Sequence, residues 1–199
     1  MVNRKRSSGP VNASELMAQL QNDPDYLRKI RTAEIERQIR VQPLRLAEQP
    51  IVADLRAAGL DVESVWDLVN TSDPYPDALP VLLAHLERGG YPEIVMESLG
   101  RALAVKPSVV FWDRLRARYL AARDPGEAEG TAVALAASAT KAQVSDLLSL
   151  VGIADRGDTR IYFLRPIKKL GGERGKELLR LLQNDPTLGR EARALLKGR

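Results

Sequence analysis

Residues 78–105 read ALPVLLAHLERGGYPEIVMESLGRALAV, and this stretch decides the class of fold. Leucines at positions 79, 82, 83 and 86 recur at helical spacing, and the apolar residues after the Gly-Gly pair repeat that spacing. Glycine commonly ends a helix, and the proline at position 92 suits the first turn of the next helix. The pattern therefore predicts two antiparallel helices joined by a short turn.

A second feature is the turn LQNDP, which occurs at residues 20–24 and again at 182–186. Asp-Pro pairs also stand at 73–74 and 124–125. We interpret the aspartate as the cap of the incoming helix, followed by a proline whose missing N–H would have had no partner there. The recurrence predicts an irregularly repeated helical unit, and an all-α fold is expected because no strand pattern of useful length occurs.

Two stretches, residues 73–105 and 158–197, resemble HEAT-repeat units. In that family the first helix ends in leucines, the turn often carries Asp or Pro, and the second helix contains an Arg followed by Ala and Leu. The matching residues are Leu82, Leu83, Leu86, Pro92, Arg101 and Leu103 in one unit, and Leu181, Leu182, Asp185, Pro186, Arg190, Ala192 and Leu195 in the other. The resemblance implies a short α-α superhelix of degenerate HEAT-like helix pairs, an armadillo-like α-solenoid. An irregular helical bundle is the alternative.

The chain divides into three predicted parts. Residues 1–13 are expected to form a flexible basic tail, because three adjacent basic residues at positions 4–6 precede a Ser-Ser-Gly-Pro run. Residues 14–50 are expected to form a charged N-terminal helical arm. Residues 51–199 are expected to form the HEAT-like α-solenoid domain.

The predicted arm carries a narrow apolar stripe between many charged residues. The stripe consists of Leu27, Ile30, Ile35 and Ile39. A helix of this kind packs lightly on the body of a protein or contacts a partner, and one hypothesis is a homodimer formed through residues 14–45. Pro43 and Pro50 are expected to break or kink the helix.

Three further local features are predicted along the chain. Gly59 is expected to end a helix, and Asp61 is the expected N-cap of the helix that follows. The predicted helix 127–139 is rich in alanine, which implies a close approach to its neighbours.

The balance of charge bears on the class of partner. The 199-residue chain carries 30 basic and 26 acidic residues, a formal net charge of +4, and the two signs interleave. A mixed surface favours protein partners, while the basic balance keeps nucleic acid as a second hypothesis. Basic residues gather at 114–118, 165–176 and 189–199, and the run RPIKK at 165–169 is the best candidate for phosphate contacts.

Two absences from the sequence limit the environment of the protein. The chain has no cysteine, which excludes disulfides and thiolate metal sites and fits a reducing compartment, so we expect a cytoplasmic location. No apolar run approaches the roughly 18–20 residues of a membrane span, so no membrane contact is expected.

No arrangement of residues typical of catalysis is found in the sequence. His85 is the only histidine and lies between core leucines, so we interpret it as a structural residue. The glycine-containing stretch at 170–177 lacks the spacing of a phosphate-binding loop and has no strand before it. We therefore expect no enzymatic activity, no metal site and no cofactor.

The stretch FWDRLRARYL at 111–120 places Trp112 and Arg116 on one face of a helix, with Asp113 able to pair with Arg116. Some HEAT-like alkylpurine DNA glycosylases use Trp, Asp and Arg side chains in a concave cleft that binds damaged DNA, and these three residues are similar in type. The chain departs from that family in its shorter length, its two tryptophans and its lack of a strongly basic groove. The other interpretation is a core aromatic residue beside an intrahelical ion pair.

The stretch DPYP at 73–76 is the other local feature with a functional interpretation. Trp66 and Tyr91 lie near it in sequence. Exposed aromatic residues beside prolines often mark binding sites, which predicts an aromatic patch here. Packing of the loop is the alternative.

Together these patterns predict a non-enzymatic protein-binding scaffold or adaptor. The second helices of the pairs would form a concave face for a folded protein or a peptide of mixed charge. That face would present Glu97, Arg101, Arg116 and Arg190. A nucleic-acid-binding protein is the alternative, in which Trp112 and Asp113 belong to the site.

Overall fold

The computed structural model of the chain describes residues 12–198, and the regular elements in this range are all helical. The α-helices are α1 Ala13–Gln21, α2 Pro24–Ala57, α3 Val65–Asn70, α4 Ala78–Arg88, α5 Glu93–Ala102, α6 Trp112–Ala121, α7 Pro125–Ser138, α8 Val144–Val151, α9 Leu164–Leu170, α10 Gly172–Leu181 and α11 Gly189–Leu196. The 3-10 helical segments are Lys106–Phe111, Lys141–Gln143, Ala154–Phe163 and Leu182–Asn184. The all-α class is confirmed, and most of the expected tail, residues 1–11, lies outside the described residues.

Contacts between residues divide the chain into two units, Met1–Pro43 and Leu44–Arg199. The boundary expected from the sequence was residue 50. The first unit holds α1 and the N-terminal part of α2, and the second holds the helices that follow. Within the described range, no helix has both the length and the apolar character needed to cross a membrane.

The Asp-Pro pairs cap helices at two of the four expected places, Asp23 and Asp124. Asp23 and Asp124 each accept a backbone N–H through Oδ1, at 2.9 and 3.0 Å, and the proline after each begins a helix. Asp185 accepts two backbone N–H groups, both at 2.8 Å, in the turn that precedes α11. The pair at 73–74 differs, because a separate turn follows it, in which the N–H of Ala78 bonds the carbonyl of Tyr75 at 3.1 Å. This pair therefore lies in the loop before α4 and caps no helix.

α2 continues through Pro43 and Pro50, and the expected break does not occur. Each proline removes one backbone hydrogen bond from the helix. Ile51 and Leu55 are fully buried just after Pro50, and their packing holds the last turns of the helix in place. The chain leaves the helix before Gly59, whose φ of 89° suits glycine, as predicted.

α3 begins with a capping box whose cap differs from the residue expected from the sequence. Asp61 was the predicted N-cap, but Ser64 takes that position. The N–H of Trp66 donates to Ser64 Oγ at 3.2 Å, and the N–H of Ser64 donates to Asp67 Oδ2 at 3.0 Å. Since this reciprocal pair satisfies backbone donors at both ends of the first turn, Ser64 is the better cap.

The centre of the second unit is the contact between α5 and α7. Gly100 and Gly130 approach so closely that a Cβ atom on Gly100 would lie 2.3 Å from the carbonyl carbon of Gly130. A Cβ atom on Gly126 would likewise lie 2.3 Å from the carbonyl oxygen of Glu93. The close approach predicted for the alanine-rich helix is confirmed, and glycines occupy its tightest points.

The remaining helices of the second unit pack largely in chain order. α3 and α4 contact α5, α6 contacts α7, and the segment Ala154–Phe163 contacts α7, α8 and α9. α9 packs on α10, and α10 packs on α11. The first and last helices of this unit are thus connected through the helices between them.

Candidate functional site

A pocket of about 490 Å³ opens where the end of α2, the start of α3 and the loop before α4 meet. Its walls are formed by residues 58–62, by Asp67 and Leu68 on α3, by Thr71, and by residues 73–77. The loop that carries DPYP therefore lines the pocket. Trp66 and Tyr91, expected near it, are not among the lining residues.

The charge of this pocket is entirely negative. Four aspartates line it, and no Lys, Arg or His does. Asp67 is engaged by the N–H groups of Glu63 and Ser64 at 2.8 and 3.0 Å. The carboxylates of Asp61, Asp73 and Asp77 are exposed and form no hydrogen bond or ion pair with any residue that the structure describes. These three carboxylates, which we call the free carboxylates, are available to a ligand.

Tyr75 gives the pocket a fixed aromatic wall. Its hydroxyl donates to the carbonyl of Ala102, the last residue of α5, at 2.9 Å. Burial raises the pKa of this hydroxyl, so it stays a neutral donor. Pro74 and Pro76 stand on either side of Tyr75 in the sequence and restrict the backbone there. The loop is therefore tied to the helical core although its aspartates are exposed.

The opposite wall is held by contacts between α2 and the chain that leads to α3. The Arg56 guanidinium donates through Nε to the carbonyl of Val62 at 2.9 Å. The Ser64 hydroxyl donates to Glu48 Oε2 at 2.9 Å. Glu48 is only 5% exposed, and burial raises the pKa of its carboxyl group. Together these bonds fix the position of residues 61–64 against α2.

His85 has a structural environment, as predicted. Its side chain is buried on α4, with Nδ1 at 2.6 Å from the Tyr91 hydroxyl and Nε2 at 2.9 Å from Asp54 Oδ2. Both ring nitrogens therefore have partners from other elements. In the described part of the chain, no group of three or more His, Cys, Asp or Glu side chains is arranged to hold a metal ion.

Two of the residues predicted to form the binding face, Glu97 and Arg101, contact each other within a larger network. Arg101 Nε donates to Glu97 Oε1 at 2.5 Å, and its NH2 group donates to Glu129 Oε1 at 2.6 Å. The Tyr162 hydroxyl donates to the same oxygen of Glu129 at 2.6 Å. Burial opposes the charge of Arg101, but the hydrogen bond that it donates to Glu97 and the other contacts raise its pKa above the ordinary value. This network ties α5 to α7 and to the segment Ala154–Phe163.

Trp112 is only 6% exposed, and its indole Nε1 donates to Asp146 Oδ2 at 2.7 Å. Asp113 is exposed and forms no ion pair within residues 12–198. Arg116 is half-buried, and its Nε has no hydrogen-bond partner in that range. The expected Asp113–Arg116 pair is therefore not formed, because Arg116 lies partly against the protein while Asp113 faces solvent.

Arg190 lies apart from this group, exposed on α11. The four residues predicted for the concave face and the two of the nucleic-acid alternative thus occupy different environments. Within the described range, the ion pair among them is that of Glu97 and Arg101. The carboxylates of the pocket were not predicted as a site. A sequence signal was present in the DPYP stretch, but bringing Asp61 near Asp77 requires the packing of α3 and the following loop.

Comparison with known proteins adds no family to this description. No protein-family model, no curated protein and no solved structure matches the chain.

Proposed function

We propose that the chain is a non-enzymatic protein-binding scaffold whose acidic pocket takes a lysine- or arginine-bearing segment of a partner protein. The observation that carries this proposal is the pocket itself, in which three free carboxylates surround a cavity without any basic lining residue. Opposite charge across an interface favours encounter and fixes which partner binds. A cationic segment is therefore the occupant with complementary chemistry.

The dimensions and walls of the pocket fit such a segment. Its volume, about 490 Å³, lies within the range of about 300–1,000 Å³ typical of ligand pockets. A guanidinium group can bond a carboxylate with two parallel N–H donors, and Tyr75 offers an aromatic face for the side-chain stem. The tethering of Tyr75 to Ala102 lowers the entropy lost on binding, since the wall is already ordered.

A HEAT-like arrangement of helix pairs is part of the same proposal. It is supported by the packing of helices in chain order, by the cap at Asp124 and by the turn that Asp185 stabilises before α11. Within such a scaffold, the network of Arg101 contributes to cohesion between helices. The binding surface is accordingly assigned to the loop before α4 instead of the face that carries Glu97 and Arg101.

The burial of Trp112 weakens the nucleic-acid alternative. Trp112 is buried and bound to Asp146, so its ring is not available for stacking on a base. The remaining support for that alternative is the basic surface formed by helices near the C-terminal end of the second unit.

The proposal is tested by the affinity of the full chain for a fluorescent synthetic peptide of alternating Arg, Lys and Gly. We expect the double variant Asp73→Asn and Asp77→Asn to bind about tenfold more weakly, equivalent to about 1.4 kcal/mol. The matched control is Asp113→Asn with Asp158→Asn, which removes the same charge from exposed positions outside the pocket.

Fluorescence anisotropy at low salt measures both affinities. A loss confined to the pocket variant supports the assignment. Equal affinity of the two variants, with circular dichroism that matches the wild type, would refute the pocket as the site.

A further inference from the structure

The last helix of the second unit presents a basic stripe to solvent. On α11 the residues Arg190 and Arg193 are exposed, and Lys197 follows one turn later on the same side. The opposite side of the helix is buried through Ala192 and Leu195. The stripe is therefore held outward by an apolar face that packs on the protein.

Neighbouring helices extend this positive surface. α9 and α11 are in contact, and Arg165 Nε on α9 pairs with Glu191 Oε1 on α11 at 3.3 Å, so this pair neutralises one charge of each sign. Residues 164–198 contain nine basic and four acidic side chains, a formal charge of +5. Arg190 and Lys197 have no ion-pair partner within the described chain.

The charge at the start of the same unit has the opposite sign. Residues 44–77, which include the acidic pocket, contain two basic and seven acidic side chains, a formal charge of −5. The helices at the start of the unit, α3 and α4, connect to α11 through α5, α7, α9 and α10. The two opposite charges thus belong to the first and last helices in the order of packing.

We propose that the basic stripe of α11 in one copy of the chain docks into the acidic pocket of a second copy. This inference rests on the proposed function of the pocket and names its partner. Charge complementarity is the ground for it: the formal charges of the two regions are equal and opposite, and both regions carry groups that have no partner among residues 12–198. The free carboxylates Asp73 and Asp77 face Arg190 and Lys197 of the other copy.

Such an interface is heterologous, because two different surfaces meet. Each added copy leaves one pocket and one basic stripe unoccupied, so association continues into open chains unless a ring closes. The contact depends on exposed charges, which salt screens with a Debye length that falls from about 10 Å at 0.1 M to about 3 Å at 1 M. Association must therefore increase with protein concentration and decrease with salt.

Sedimentation equilibrium of the full chain at about 50 mM and about 500 mM salt tests this dependence. At low salt the weight-average mass should rise above the 22.0 kDa of one copy as concentration increases. At high salt it should return to that of one copy.

Two variants with complementary defects test the interface itself. Asp73→Asn with Asp77→Asn removes two negative charges from the pocket, and Arg190→Gln with Lys197→Gln removes two positive charges from the basic stripe. Each variant alone should remain at 22.0 kDa, because it lacks one of the two surfaces. An equimolar mixture should form a complex that stops at two copies, since each variant supplies the surface that the other lacks. The control Asp113→Asn with Asp158→Asn should associate like the wild type.

The outcomes separate this inference from the function on which it rests. A mixture that stays at the mass of one copy, with both variants folded by circular dichroism, overturns self-association. If the basic peptide still binds the wild-type pocket, only the second copy is excluded as the partner. If the peptide does not bind either, the pocket is also refuted as a binding site. A salt-insensitive dimer that persists in both variants also overturns the inference and points to residues 14–45. Binding of a DNA oligonucleotide to the stripe, without a complex in the mixture, overturns it in favour of nucleic acid.

Discussion

At the scale of single residues, Glu48 is a carboxylate whose burial makes its charged form unfavourable in the folded state. Its pKa is raised by burial, while the hydrogen bond from Ser64 works in the opposite direction and the nearby Asp67 adds to the rise. When folding raises the pKa of a carboxyl group, its protonated form stabilises the folded state. This stabilisation is fully present below the pKa of the unfolded chain, and it is lost as the pH rises through the higher pKa of the folded state. At neutral pH the wild-type protein therefore bears a penalty for the buried charge.

We predict that Glu48→Gln increases the free energy of unfolding at neutral pH. The glutamine carbonyl can still accept the Ser64 hydroxyl, so the change removes the charge and keeps the bond. The gain should disappear near pH 4, because Glu48 is then largely protonated in the wild type and no longer carries a buried charge. Urea denaturation at the two pH values measures it, with the exposed Glu63→Gln as control. A loss of stability at neutral pH would mean that the carboxylate is compensated in the folded state.

Residue-scale prediction from sequence succeeded where the chemistry is local. The caps at Asp23 and Asp124 follow from the residues beside them, and so do the hydrogen bonds that Asp185 accepts in the turn before α11. The choice of Ser64 over Asp61 as the cap of α3 was missed, because it depends on which aspartate reaches back to the first turn.

At the scale of helices, the contact between α5 and α7 depends on residues without side chains. We predict that Gly100→Ala destabilises the protein by about 1–3 kcal/mol, because the added methyl group meets the backbone of Gly130, which cannot move aside as a flexible side chain would. Gly152→Ala is the control: the residue has an ordinary helical φ of −71° and its Cβ atom would lie 3.3 Å from the nearest atom. Thermal unfolding measures both. Equal effects would show that α5 and α7 separate at little cost.

The same helices are linked by Arg101, whose side chain was predicted to bind a partner. We expect Arg101→Met to lower the free energy of unfolding by about 1–3 kcal/mol, because it leaves Glu97 and Glu129 without their cation in a half-buried setting. Arg190→Met, at an exposed and unpaired position, should change stability by less than about 0.5 kcal/mol. Affinity for the basic peptide should be unchanged in Arg101→Met. A large loss of affinity with unchanged stability would return Arg101 to the binding surface.

Helix-scale prediction was limited by contacts between residues distant in sequence. The pattern of leucines identified α4 and α5. Glu129 and Tyr162, which complete the network around Arg101, lie far along the chain, and no spacing in the sequence marks them. The continuation of α2 through Pro50 was missed for a related reason, since the packing of Ile51 and Leu55 is a tertiary effect.

At the scale of the whole molecule, the net charge of +4 conceals an uneven distribution. The interleaved charges of the sequence predicted a mixed surface. The basic runs at 165–176 and 189–199 were recognised from the sequence, but the acidic start of the second unit was overlooked, because a total charge carries no information about position. The class of fold, by contrast, required only helical periodicity and turn residues, both of which the sequence displays.

Reversal of charge at both surfaces distinguishes a specific contact from a general effect of charge. Asp73→Lys with Asp77→Lys should abolish self-association, because lysines in the pocket then repel the basic stripe of the other copy. Arg190→Glu with Lys197→Glu should do the same, because glutamates on α11 repel the acidic pocket. A chain with all four changes keeps the net charge of +4, and it should regain part of the association at low salt, since opposite charges face each other again. Sedimentation equilibrium of the three variants measures this. If the fourfold variant stays at the mass of one copy while its helical content matches the wild type, the paired surfaces are not in contact.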